Sequence, residues 1–189
     1  DMVETGIFYN KDIFRKVGVT PPRDWAEFMQ IQEKIKQAGY IPTLCPAGSF
    51  SDWAVDLVFD QLYHDLLPLI NLRVDPKGGS YLANYLDWDE IAFLNQKGFF
   101  TRDDPRYQEL WRLLKDWRRY LSKDISSTDY QKLFMTQRGA MWWTASWSVN
   151  KLARDPEVNF DWGVFYLPAM NYKTSKYASG RPMVVIGGS

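Results

Sequence analysis

The run Gly139-Ala-Met-Trp-Trp-Thr-Ala-Ser-Trp147 constrains this chain more than any other. A tight glycine leads into an uncharged, aromatic-rich stretch that reads as a strand, and the strand stops at a small-small-aromatic turn. A strand that ends in this way presents the Ser146 hydroxyl and the flat Trp147 indole at a sheet edge. Open α/β sheets keep their ligand clefts at such edges.

The neighbouring segments supply the rest of an α/β pattern. Ile7 to Asn10 reads as β-type, and Lys11 to Lys16 as a short helix closed by Gly18. Asp24-Trp-Ala-Glu27 reads as a capping box ahead of a helix from Trp25 to Ala38, with Gly39 as its stop. Ile41 to Cys45 reads as a buried strand, with Pro42 at its start. Ser51 or Asp52 is expected to cap a helix beginning at Trp53. Asp75 to Ser80 reads as an exposed loop, and Asp87 to Lys97 as a helix ended by Gly98. Asp104-Pro105 opens the clearest helix, because Pro suits the first helical position. Tyr107, Leu110, Trp111, Leu114, Trp117 and Leu121 recur along it at spacings of three and four. Ser127 or Thr128 is placed as the cap of a helix reaching Met135, and Ser146 or Ser148 as the cap of one reaching Arg154. Phe160 to Pro168 and Met183 to Gly187 read as strands. Helix predominates.

Nine Trp residues and 16% aromatic content stand out in a chain of 189 residues that is otherwise ordinary for a globular domain. Most such rings fill cores. Only those in loops or at strand ends are free to stack on a ligand. The net charge is zero, which gives no pull toward nucleic acid or an anionic membrane. One cysteine, Cys45, and one histidine, His64, make no disulfide, metal cluster or catalytic triad. The chain has no Gly-x-Ser-x-Gly elbow, phosphate loop, His-Glu-x-x-His or Cys–His pair. The close carboxylates Asp103-Asp104 and Asp87-x-Asp89 are not the cleft-spanning pair that glycoside hydrolysis uses. No catalytic residue, metal or cofactor is therefore expected.

Gly6-Ile-Phe-Tyr-Asn-Lys-Asp-Ile-Phe14, then Gly18-Val-Thr-Pro-Pro22 with Trp25 and Phe28, form one block of a longer pattern. Phe134 with Gly139-Ala-Met141 and Ser146-Trp147 forms the next, and Trp162-Gly-Val with Leu167-Pro168 the last. In this order they resemble the extracellular solute-binding proteins of bacterial ABC importers, of the sugar-binding kind related to the maltose-binding protein. The resemblance implies a type II periplasmic-binding-protein-like lobe, a mixed sheet flanked by helices and incomplete relative to the two-lobed family. Residues 1–166 correspond to the second lobe, and residues 167–189 to a crossover and strand toward the first. It also implies a sugar ligand, a membrane permease as partner and an extracytoplasmic location. Strand edges left open by an incomplete lobe are expected to favour self-association through Met183 to Gly187.

Trp147 and Ser146 are the first expected ligand contacts, an indole face for the sugar ring and a polar partner for its hydroxyls. Ser49, Phe50, Asp52 and Trp53 are the second group, on a strand-to-helix loop. Trp147 and Trp53 are expected to flank one concave surface. Two other readings stand beside the receptor: a carbohydrate-active enzyme domain, and a protein-interaction module that uses the aromatic surface.

Overall fold

The computed structural model describes residues 2–66, 88–122, 127–183 and 186–188. Asp75 to Ser80 and Asp87 lie outside them. The central strand is β1, Met2–Asn10. It pairs antiparallel with β3, Gly139–Ala145, on one side and with β4, Trp162–Phe165, on the other. β2, Ile41–Leu44, lies parallel to β3, giving the order β2-β3-β1-β4. β5, Ile186–Gly188, pairs with Met2–Glu4 of the same chain. The segment expected to seek a second copy is therefore paired within its own chain, which satisfies those edge groups locally.

All seven residues of β3 are buried, because helices cover both faces of the sheet. Side chains alternate across the strands. Ile7, Met141 and Trp143 face the larger core, with α2, Trp25–Gln37, α4, Val55–Tyr63, and α6, Pro105–Arg118. Phe8, Trp142 and Leu44 face a smaller core closed by α7, Ser127–Met135, and α8, Ser148–Arg154. Gly139 sits where β3 leans on β2. A Cβ there would stand 2.4 Å from Leu44 Cδ1, so glycine permits the approach of the two strands.

The larger core is organised around Trp117, which is fully buried. Its ring centroid lies 5.1 Å from Trp25, 5.2 Å from Phe50, 5.1 Å from Trp143 and 6.0 Å from Phe28. These contacts tie α2, α6, β3 and the segment after β2 together. The separations fall in the favourable range for aromatic pairs. The Trp117 Nε1 has no hydrogen-bond acceptor among the described residues. The stripe of α6 is narrower than its sequence spacing suggests: Leu110, Leu113, Leu114 and Trp117 are buried, while Trp111 is half exposed. Trp111 lies about 100° around the helix from Leu110, which carries it off the core face.

Helix ends follow their chemistry. Asn10 Oδ1 accepts from Asp12 N at 2.8 Å and Ile13 N at 2.9 Å, capping α1, Lys11–Val17, and Gly18 closes it at φ 71°. Asp24 accepts from Glu27 N, while the Glu27 carboxylate reaches back to Arg23 N, one residue before the cap. α5, Trp88–Gln96, is followed by Gly98 at φ 91°. Asp104 caps α6 through Arg106 N, and its other oxygen takes the Tyr63 hydroxyl at 2.7 Å. Burial, then this contact, raises the Tyr63 pKa.

Two caps form differently from expectation. The helix after β2 starts at α3, Ala47–Ser49, continues as a π-helical stretch, Phe50–Ala54, and runs into α4. Pro46 stands at its cap position, and the Phe50 ring is drawn onto Trp117. Ser51 and Asp52 are thus inside the helix and cap nothing. At α8, Trp147 takes the cap position and makes no side-chain cap bond. Ser148 instead bonds Thr144, Oγ to Oγ1, at 2.9 Å. α7 already includes Ser127 and Thr128, the two residues expected at its cap, in its first turn; their side chains lie outside the described residues.

The stretch after β4 docks on this same body. Leu167 bridges Met183, and Trp25 N donates to Ala169 O. The buried Gln61 side chain accepts from Met170 N at 3.3 Å and donates to Arg181 O at 3.0 Å. Cys45 is buried behind β2, and burial pushes its thiol up to about 12.

Two outcomes follow for stability. Trp117→Ala lowers the unfolding free energy by about 3–5 kcal/mol in urea titration. Arg118→Ala, whose guanidinium reaches only Ser122 O at 3.5 Å, costs within about half a kcal/mol. Cys45 makes stability fall as pH rises. In the unfolded chain the thiol ionises near ~8.5, while in the fold it stays protonated to about 12. Between these limits the unfolded state binds fewer protons, so its relative free energy drops with pH. Cys45→Ser is expected to flatten that alkaline slope in melts recorded from pH 8 to 11.

Candidate functional site

β2 and β3 run parallel and side by side, so their C-terminal ends open on the same edge. The chain leaves each of them into a helix. From β3 it passes Ser146 to Trp147 at the start of α8. From β2 it enters the helix that carries Trp53. The two indoles meet with centroids 6.4 Å apart and planes at 57°. Trp147 is 55% exposed, the freest indole among the described residues, and a core role is thereby ruled out for it. Trp53 is half-buried and rests edge-on against Trp143 at 5.5 Å, which itself lies 5.1 Å from Trp117. The outer ring pair is thus seated on the central aromatic cluster.

The π-helical turn fixes how Trp53 is aimed. A π stretch takes an extra residue per turn and occurs often at functional sites. Here it lets Phe50 stay on Trp117 while Trp53 reaches Trp147. Asp52 is exposed, and among the described residues its carboxylate takes one hydrogen bond, a long one from Ser51 Oγ at 3.4 Å. With no capping duty, its oxygens are available to a ligand. Ser49 is half-buried in α3. Phe50 faces the core and does not join the indole pair.

Ser146 continues the β1–β3 ladder. Its N–H donates to Glu4 O at 2.9 Å, and its hydroxyl accepts from Glu4 N at 3.4 Å. The backbone N–H expected to serve a ligand is therefore used by the sheet. The hydroxyl remains exposed, with its proton still available to donate. This pairing brings in Glu4, which sequence reasoning did not select. Tyr166, 51% exposed just past β4, hydrogen-bonds the Glu4 carboxylate, and this contact raises the tyrosine's pKa. Asp56, one turn after Asp52, joins the rim, and burial, then the Asp52 charge, raises its pKa. The signal for Glu4 lay in strand pairing, which no local motif encodes. The signal for Tyr166 was its place at the end of an aromatic strand.

A broad concavity lies elsewhere. A groove of about 1000 Å³ near the start of β2 is lined by Lys36, Tyr40, Lys115, Arg118, Arg119 and Tyr120 among others. It contains none of the indole pair or its polar neighbours. No three His, Cys, Asp or Glu side chains are gathered for a metal among the described residues. No helix among them is long and apolar enough to cross a membrane.

A mixed α/β lobe with an aromatic and carboxylate edge beyond its parallel strands is the architecture of a small-molecule binding lobe. The whole chain, residues 1–189, matches the bacterial extracellular solute-binding protein family, and the chain belongs to it. The family is one of extracellular binding proteins. No curated protein sequence matches significantly. Among solved structures, apo RafE from Streptococcus pneumoniae has a TM-score of 0.63 at 22% identity, over 100% of this chain and 43% of that one. The bacterial solute receptor AcbH has a TM-score of 0.62 at 16% identity, over 98% and 42%. A sugar transporter protein from Bacillus licheniformis, in complex with stachyose, has a TM-score of 0.55 at 18% identity, over 99% and 44%. At these identities the likeness is one of fold. This chain spans less than half the length of each of them.

Proposed function

We propose that this chain is the substrate-binding component of an ABC importer, capturing a sugar or oligosaccharide outside the cytoplasmic membrane. The observation that carries the reading is the Trp53–Trp147 pair, an exposed indole held by a half-buried one at the strand-end edge. Sugar rings present flat C–H faces that stack on indoles, and their hydroxyls need acceptors and donors beside the ring. Asp52 and the Ser146 hydroxyl are the candidates for those places. RafE has been solved with raffinose, the Bacillus licheniformis protein with stachyose, and AcbH is described as preferring β-D-galactopyranose, which supports a saccharide here too.

In this reading residues 1–166 form the second lobe of a two-lobed receptor, and residues 167–189 the crossover toward the other lobe. The protein acts in the periplasm or as a cell-surface lipoprotein and delivers its ligand to a membrane permease. The chemistry is capture and release, without bond cleavage.

The test is calorimetry on the intact protein against raffinose, stachyose and galactose, with chromatography of labelled oligosaccharide to look for products. Saturable binding without turnover is expected. Trp147→Ala should weaken the preferred sugar by about 1–3 kcal/mol, the scale of burying a large side chain. Its thermal midpoint should stay close to the parent's, because the ring is exposed. Unchanged affinity in this variant would remove Trp147 from the site, and appearance of hydrolysis products would return the enzyme reading.

A further inference from the structure

The charges around the indole pair are of one sign. Asp52 precedes Trp53 directly, and Asp56 follows one turn later. Neither is ion-paired with a Lys or Arg among the described residues; the ion pairs there use other carboxylates. A cation close to Asp56 would favour its ionised form. Instead burial, then Asp52, disfavours it. The nearest thing to a basic cluster is the groove at the start of β2, where Lys36, Lys115, Arg118 and Arg119 collect and the indoles are absent.

We infer that the indole pair sorts ligands by charge, admitting polyhydroxyl compounds that are neutral or carry an amine and turning away those that carry a carboxylate or phosphate. The inference rests on the reading of this edge as a sugar site and narrows its substrate class. An anionic sugar stacked on the Trp53–Trp147 pair would enter the summed negative potential of both carboxylates. An amine would gain from that potential and from the indole faces, which attract cations. Like charges within roughly 8–10 Å interact appreciably at the intermediate dielectric of a protein surface, and salt damps them. A loss of affinity on the order of tenfold for a uronate relative to its parent sugar is expected at low salt, shrinking as salt is added.

Two measurements test this. Iodide, caesium and acrylamide quenching of the intact protein, with Trp147→Phe subtracted to isolate the exposed indole, reads the local potential without any ligand. Caesium should quench Trp147 markedly better than iodide, and Asp52→Asn with Asp56→Asn should narrow the gap. Equal quenching by the two ions in the parent overturns the inference. Calorimetry then compares galactose, galacturonate and galactosamine. Galacturonate weaker than galactose, with the double variant recovering it, supports the sorting. Galacturonate bound as tightly as galactose overturns the sorting and leaves the sugar reading intact. Failure of all three, and of raffinose and stachyose, overturns both.

Discussion

The fold depends first on the enclosure of Trp117. Four aromatic rings surround it, drawn from three separate parts of the chain, and each part brings an element with it. Trp25 and Phe28 fix α2, Phe50 fixes the helix after β2, and Trp143 fixes the central part of β3. A fully buried indole brings a large apolar area out of water, and interiors are packed too tightly for a neighbour to shift alone. Remove this ring and the segment that carries Trp53 loses its foundation. The site is thus coupled to the core through direct ring contacts.

The same arrangement explains why two distant tryptophans meet. Parallel neighbours in a sheet emit their following segments on one side. β2 and β3 are the parallel pair, so the edge beyond them is where their two helices begin. Antiparallel β1 runs beside them, and the backbone of Glu4 in its first half exchanges hydrogen bonds with Ser146. The edge therefore collects an indole from each parallel strand's exit.

Much of this was legible in the sequence because it is local. The Asn10 and Asp24 caps, the Gly18 and Gly98 stops and the proline-led α6 are set by side chains within a few residues. β3 announced itself through its uncharged run, and the indole pair followed from placing both rings at strand exits. What sequence could not supply came from tertiary contacts. Asp52 looked like a cap because a Ser-Asp pair before an apolar run normally is one, yet the pull of Phe50 onto Trp117 extended the helix backward past it. Ser148 looked like a cap and bonds Thr144 instead. Trp111 fitted the helical spacing but lay at the margin of a stripe whose width only the packing decides. The Ser146 N–H was taken up by Glu4 O through the antiparallel strand register, which the residues near it do not specify.

The π-helical stretch at Phe50–Ala54 has a consequence for how such a receptor diversifies. It amounts to one inserted residue held between a core anchor on one side and a ligand-facing ring on the other. Losing that residue would restore ordinary α-geometry while the turns on either side kept their orientation, so that a different side chain would come to the position Trp53 now holds. The hydrophobic face of α4 could keep its register while Trp53 swung away from Trp147. One codon deleted at this point would thus exchange the side chain offered to the ligand without repacking the domain. The lobe carries, in a single turn, a place where specificity can change independently of stability.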